Sequence, residues 1–313
     1  MRLTDANGKQ LAFNDDFEDK GSGLNTHHAD SYLTATLPAD GFYFIHLTDT
    51  QGQGGPEFAY RLRISEPQPD FALRVVPSSV SLRAGMSAPV TVFALRRDGF
   101  TNAINLELKD APPGFSLSGA RIAEGQDKVQ FTVKAPAQSL EKPVAIAIEG
   151  HALIAGKLVT HAAAPAEDMM QAFIYRHLVP SKELAVVVNG QPRPFLRDAF
   201  KIISATPVKI PSGGTARVRV SAPPGNFSER FKLELDNAPE GISLANVSAI
   251  PAGMELVFNC DAEKMKAGVT GNLICDVVPK NMGTANPQKK SGNQPRRVAV
   301  ATLPAIPFTI FAE

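Results

Sequence analysis

Apolar and polar residues alternate along this chain with a period of two. Phe71, Leu73 and Val75 share one phase, as do Tyr60, Leu62 and Ile64 around Arg61 and Arg63. Leu256, Phe258 and Cys260 form another such set, and Leu273, Cys275 and Val277 a fourth. Successive side chains leave a strand on opposite faces, so each run predicts a half-buried β-strand. The run from Phe42 to Leu47, opened by an Asp40-Gly41 turn, is apolar in both phases apart from His46. The 25 Pro and 24 Gly fall between such runs, with turn signals about 8 to 12 residues apart as in all-β domains. Sustained helical periodicity is nearly absent. The expected fold class is all-β, made of antiparallel β-sandwiches in tandem.

One segment occurs twice. LELKDAPPGFSL from Leu106 to Leu117 returns as LELDNAPEGISL from Leu233 to Leu244, with eight of the twelve residues identical. Each copy reads as a strand, an Ala-Pro-x-Gly turn and a second strand. Phe115 and Ile242 are expected at equivalent buried positions after the turn. With a one-residue slip the match extends from Val80-Ser81-Leu82 and Val208-Lys209-Ile210, through Phe100 and Phe227, to Ile122 and Ile250, Gly125 and Gly253, and Val129 and Val257. Solenoid repeats run about 20 to 50 residues, so this spacing of 127 between Leu106 and Leu233 indicates whole domains in duplicate.

The segment before the duplication is different. It contains LTDANGKQLAFNDD from Leu3, LPADGFY from Leu37 and a closing YRLRI at Tyr60 to Ile64. Together these resemble the later part of the bacterial pre-peptidase C-terminal domain, a jelly-roll-like sandwich appended to secreted proteases and other exported proteins. The resemblance implies that the opening strands of that domain have no counterpart here. The two repeats resemble, more loosely, the immunoglobulin-like modules that follow such domains in large exported proteins of planctomycete and verrucomicrobial type. The expected organisation is a partial jelly-roll-like domain over residues 1–66, an immunoglobulin-like sandwich over 70–163, a connecting segment over 164–198 and a second immunoglobulin-like sandwich over 199–313. A helical turn at 164–171 and strands at 172–177 and 184–188 are expected within the connection. A sheet lacking its opening strands leaves an edge exposed, which predicts self-association through the N-terminal segment.

Charge and composition narrow the function. Lys and Arg number 32 against 31 for Asp and Glu, so no global field draws the chain to nucleic acid. No run reaches the roughly 18 to 20 apolar residues of a membrane helix, and Met1 to Asp5 lacks the apolar core of a secretory leader. The resemblance places the protein outside the cell, in the periplasm or at the cell surface.

Candidate chemistry is sparse. Asn14, Asp15, Asp16 and Asp30, with Asp19 and Ser31 near them, offer the hard oxygens that calcium takes, and the resembled family can bind calcium in such a domain; the competing reading is turn chemistry. No other cofactor is implied. His27 and His28 beside Asp30 suggest zinc but have no third ligand at a recognised spacing. His46, His151, His161 and His177 are dispersed, and no H-E-x-x-H or G-x-S-x-G is present. Glu167-Asp168 is an acid pair in the connection, and Cys260 and Cys275 lie in core phase, free or bridged. The basic stretch from Lys280 to Arg297 reads as a solvated loop, and the sequons at Asn226 and Asn246 carry no weight alone. The expected function is a non-catalytic accessory or interaction region of a larger exported or cell-surface protein, acting on a protein or surface polymer. The alternative is a carbohydrate-binding region of a secreted hydrolase, against which stand the absence of Trp and the presence of only four Tyr.

Overall fold

The structure, a computed structural model, describes residues 1–17, 30–49, 51–170, 176–190, 200–223, 227–280 and 299–312. The regular structure of the described residues is nearly all strand, as the alternation predicts, but the half-buried strand expected at Tyr60 to Ile64 does not form: those residues have no partner strand among the described residues and are exposed. The described residues divide into two compact units. The first comprises residues 1–68 and 167–179, and the second residues 69–166 and 180–313.

The first unit contains a three-stranded antiparallel sheet in the order β2-β1-β3, formed by β1 (Arg2–Asp5), β2 (Gln10–Phe13) and β3 (Tyr43–His46). Among the described residues from 1 to 69, only Leu3 and Thr4 are buried. Residues 58–69 run on with no strand partner, and every one is exposed.

The second unit holds both repeats, apart from residues 167–179, the end of one strand and most of the next, which belong to the first unit. The first repeat begins with β4 (Asp70–Val76), β5 (Ser79–Arg83), β6 (Ser87–Arg97) and β7 (Ile104–Lys109). It continues through β8 (Ser116–Ser118), β9 (Arg121–Ile122), β10 (Lys128–Lys134), β11 (Val144–Ile154), β12 (Lys157–Met170), β13 (Arg176–Pro180) and β14 (Leu184–Asn189). One layer carries β8, β10, β6 and β4, and the other β5, β14, β11, β7 and β9, with β12 bridging the two layers by pairing with both β4 and β11 in one continuous hydrogen-bonded path. Phe71, Leu73, Val90, Val92, Ile104, Phe131, Ile148 and Val186 pack between them, the arrangement of a sandwich core.

The second repeat consists of β15 (Val208–Pro211), β16 (Thr215–Val220), the single turn α1 (Phe227–Arg230), β17 (Phe231–Asp236), β18 (Ile242–Ile250), β19 (Gly253–Cys260), β20 (Thr270–Pro279), β21 (Ala301–Thr302) and β22 (Ile306–Phe311). Its pairings reproduce those of the first. As β5 lies parallel to β14 and β14 antiparallel to β11, so β15 lies parallel to β22 and β22 antiparallel to β20. As β7 pairs β11 and β6 pairs β10, so β17 pairs β20 and β16 pairs β19.

This correspondence changes the reading of residues 164–198. Leu184, Val186 and Val188 are buried in β14 as Ile306, Phe308 and Ile310 are in β22, so residues 184–189 are the closing strand of the first sandwich rather than a connection. The helical turn expected at 164–171 is strand through Met170: β12 continues there, pairing parallel to β4 at Ala163 to Pro165. Strand geometry wins because a partner backbone is available on β4. In each repeat further residues intervene in sequence before the closing strand, 155–183 in the first and 280–305 in the second.

The repeated turn is the same down to its dihedral angles. Asp110 and its counterpart Asn237 have φ of 46° and 44°, and Gly114 and Gly241 both have φ of 95°. Glycine takes this left-handed conformation without the steric cost a Cβ would bring. Ile242 is buried, whereas Phe115 is only half-buried against the first core. Beyond the turn the alignment slips. Val129, Phe131 and Val133 face Val92, Val90 and Ala88, and the residues that face Val220, Val218 and Ala216 are Met254, Leu256 and Phe258. Val257, expected to match Val129, therefore points to the opposite face. β18 is a continuous strand with a bulge between Leu244 and Asn246, where the first repeat breaks into β8 and β9.

Candidate functional site

The two repeats meet in a seam built from polar side chains on otherwise outward-facing strand positions. The Asn272 amide donates from Nδ2 to the carbonyls of Gly119 at 2.7 Å and Gln130 at 2.8 Å. Gln126 Nε2 donates to the Thr270 carbonyl at 2.6 Å, and Gln130 Nε2 to Asp236 Oδ2 at 3.2 Å. The buried Thr132 hydroxyl accepts the Ala305 N–H at 3.0 Å. β21 places Thr302 against Ser87 at the start of β6, and Met86 packs into the core of the second repeat. A Cβ on Gly119 would lie 2.6 Å from the Asn272 amide, so the close approach requires glycine there. Beside the seam opens a crevice of about 320 Å³ with Lys134 and Lys201 among its lining residues and Met86, Phe200 and Pro304 as its apolar part. The seam leaves little mark on the amino-acid pattern; its one signal is Asn272, a polar residue leading the apolar stretch of β20.

Asp276 sits next to this seam. Its Oδ1 accepts the Thr302 hydroxyl at 2.6 Å, and Glu234 lies directly across from it on β17. Burial raises the Asp276 carboxyl above its ordinary range, and Asp236 and Glu234 add to the rise, against the lowering effect of the Thr302 hydrogen bond. Burial also pushes the neighbouring Cys275 thiol up to about 12, helped by Asp276. A thiol held neutral is not a nucleophile. Cys260 and Cys275 are both buried and unbridged.

The candidate calcium residues lie in a turn network. Asn14 Oδ1 accepts the Tyr32 N–H at 2.9 Å while its Nδ2 donates to the Asp16 carbonyl at 3.2 Å. Ser31 Oγ donates to the Asp15 carbonyl at 2.8 Å, and the N-terminal ammonium donates to Ser31 Oγ at 3.0 Å. These bonds bring residues 14–16 beside 30–32, so Asn14, Asp15, Asp16 and Asp30 are neighbours, with the Asn14 oxygen engaged by backbone. Among the described residues no three His, Cys, Asp or Glu side chains group closely enough to hold a metal ion. Asp19, His27, His28, Asn226 and the stretch 281–297 lie outside the described residues.

Of the four histidines within the described residues, His177 is half-buried on β13 and the other three have separate structural partners. His46 shares a 3.2 Å hydrogen bond with the Thr4 hydroxyl, His151 one of 2.9 Å with that of Thr160, and His161 one of 2.7 Å with Asp70. Asp168 is held across its hairpin by Arg176, whose Nε and Nη2 donate to its two oxygens at 3.0 and 2.5 Å. Asn246 is exposed at the bulge of β18.

The first unit presents a different kind of surface. Phe42 is 82% exposed, Tyr60 75% and Ile64 74%, and Phe13, Tyr32, Phe44, Phe58 and Leu62 are exposed as well. Monomer surfaces seldom expose large apolar side chains in such number. Among the described residues no helix is long and apolar enough to cross a membrane.

No family model matches the chain, and comparison with curated proteins gives no significant match.

Proposed function

We propose that this chain is a non-catalytic accessory region, working through its surfaces as part of a larger exported or cell-surface bacterial protein. The observation that carries this reading is the seam. Two sandwiches locked by Asn272, Thr132 and Met86 suit a stiff spacer, and sites of interaction are grafted on such scaffolds. The exposed apolar side chains between Phe13 and Ile64 are the surface it would present. The resemblance to pre-peptidase C-terminal and immunoglobulin-like modules supports the same setting.

A second reading, carbohydrate binding, is favoured by Phe42 and Tyr60, whose exposed rings suit stacking on sugar faces. Testing the purified protein on a glycan array and a panel of esterase, protease and glycosidase substrates separates the two. No turnover and no glycan signal are expected. Glycan binding lost in Phe42→Ala or Tyr60→Ala would establish the second reading, and turnover would overturn both. Calcium at Asn14, Asp15, Asp16 and Asp30 is tested by titration calorimetry: binding heat with a thermal shift supports it, and neither at millimolar calcium removes it.

A further inference from the structure

The first unit holds a sheet edge without a strand and a strand without a sheet. β3 is an outer strand of the order β2-β1-β3, so one side of its backbone has no strand partner among the described residues. Its neighbourhood is apolar in both phases, with Phe42 and Phe44 on one and Tyr43, Ile45 and Leu47 on the other. A run of that kind belongs inside a sheet covered on both faces. Yet Phe44, Ile45 and Leu47 are exposed.

Tyr60 to Ile64 has the complementary properties. Tyr60, Leu62 and Ile64 alternate with Arg61 and Arg63, and all five are exposed and have no strand partner among the described residues. The charges also match. Residues 1–49 carry eight acids (Asp5, Asp15, Asp16, Glu18, Asp19, Asp30, Asp40, Asp49) against three bases (Arg2, Lys9, Lys20), a net of −5, while Tyr60 to Ile64 carries +2. Asp40 and Asp49 bracket β3 itself. The 13 residues from Leu47 to Tyr60's predecessor Ala59 could bring strand and edge together within one chain, but the structure leaves both open.

We infer that the occupant of the β3 edge is the Tyr60–Ile64 strand of a second copy of this chain. Each copy offers one edge and one strand, so a two-fold pair satisfies both at once, as strand exchange does in swapped dimers. Backbone hydrogen bonds supply the pairing, and the apolar phase of the donor covers the exposed side chains of β3. The arginines of the donor meet the acidic surface of the acceptor and favour this partner over a neutral strand. This deepens the interaction-region reading by naming one partner of the first unit; a monomer that still bound a foreign partner would leave that reading standing and sink this one alone.

The test is sedimentation velocity over a hundredfold range of protein concentration, with amide hydrogen exchange at its two ends. A reversible dimer is expected, with amides of residues 43–47 and 60–64 protected only at high concentration. Leu62→Pro removes the central N–H of the donor at an exposed residue outside any strand or helix, and should raise the dissociation constant at least tenfold. Leu62→Val, which keeps the N–H and the strand preference, should leave it within about twofold. The thermal transition of residues 70–312 should be the same in all three proteins. A monomer at every concentration overturns the inference, including one in which both segments are protected by pairing within a single chain. So does a dimer that Leu62→Pro leaves intact.

Discussion

At the scale of single residues, Asn272 and Asp276 make opposite contributions. Asn272 satisfies two carbonyls from one amide nitrogen, so Asn272→Ala leaves both without that donor. A partly buried hydrogen-bonding group stripped of its partner costs about 1 to 3 kcal/mol, which a urea titration of the variant should register. Asp276 is held in an environment that disfavours its charge. Its folded pKa lies above the unfolded value, so between the two the folded state binds more protons, and stability falls as pH rises through that window. The penalty is complete above the raised pKa and is relieved on acidification. Asp276→Asn keeps an oxygen for the Thr302 hydroxyl and has no charge to bury. Its melting temperature at pH 7 should exceed that of the parent protein, with the difference shrinking toward pH 4. An unchanged difference across that range would show that the carboxyl does not titrate as described.

Elements are where sequence and structure can be compared. The duplicated strand-turn-strand was legible because its turn needs particular residues: Gly114 and Gly241 occupy the same φ of 95°, and few sequences other than Ala-Pro-x-Gly support that corner. Gly241→Ala places a Cβ 2.8 Å from that of Lys264 in addition to the φ strain, whereas at Gly114 the nearest atoms, on Pro136, are 3.1 Å away. Strain of this kind costs about 1 to 3 kcal/mol, and chemical denaturation should find Gly241→Ala the more damaging of the pair. Ile242→Ala should cost about 2 to 5 kcal/mol as a buried truncation, and Phe115→Ala less, since Phe115 is only half-buried. The strand expected at 184–188 is present as β14, but its place as the closing strand of the first sandwich was hidden for a physical reason. It is separated from the rest of its sandwich by residues 155–183, and what assigns it is parallel pairing with β5, a long-range contact that local alternation does not encode. β12 was mistaken for a partial helix because Ala162 to Ala166 has high helix propensity apart from Pro165, and pairing with β4 overrides propensity. The candidate surface was legible in part: the alternation of Tyr60 to Ile64 is plain in the sequence, but that it lacks a partner is a property of the fold.

For the molecule as a whole, the duplication suggests two modules that fold alone, and the seam argues against it. Separating the repeats would take Met86 out of the second core and free the Thr132 hydroxyl, the Asn272 amide and the Thr302 pairing together. Local stabilities merge into one cooperative unit when the interface between parts is worth as much as the difference between them. Residues 70–312 should therefore unfold in a single calorimetric transition, with calorimetric and van't Hoff enthalpies in a ratio near 1. The first unit, with two buried residues among those described from 1 to 69, should exchange its amides faster than either sandwich. Cutting the seam should break the cooperativity without touching either core. In the double variant Thr132→Val, Asn272→Ala the hydroxyl that receives Ala305 N–H and the amide that clamps Gly119 are both lost, and both lie outside the two apolar clusters. Two resolved transitions, or an enthalpy ratio well above 1, are expected of that protein. If the double variant still melts as one unit at a merely lower temperature, the sandwiches are coupled through Met86 and the backbone pairing of β21 alone, and the polar seam has no part in making them one body.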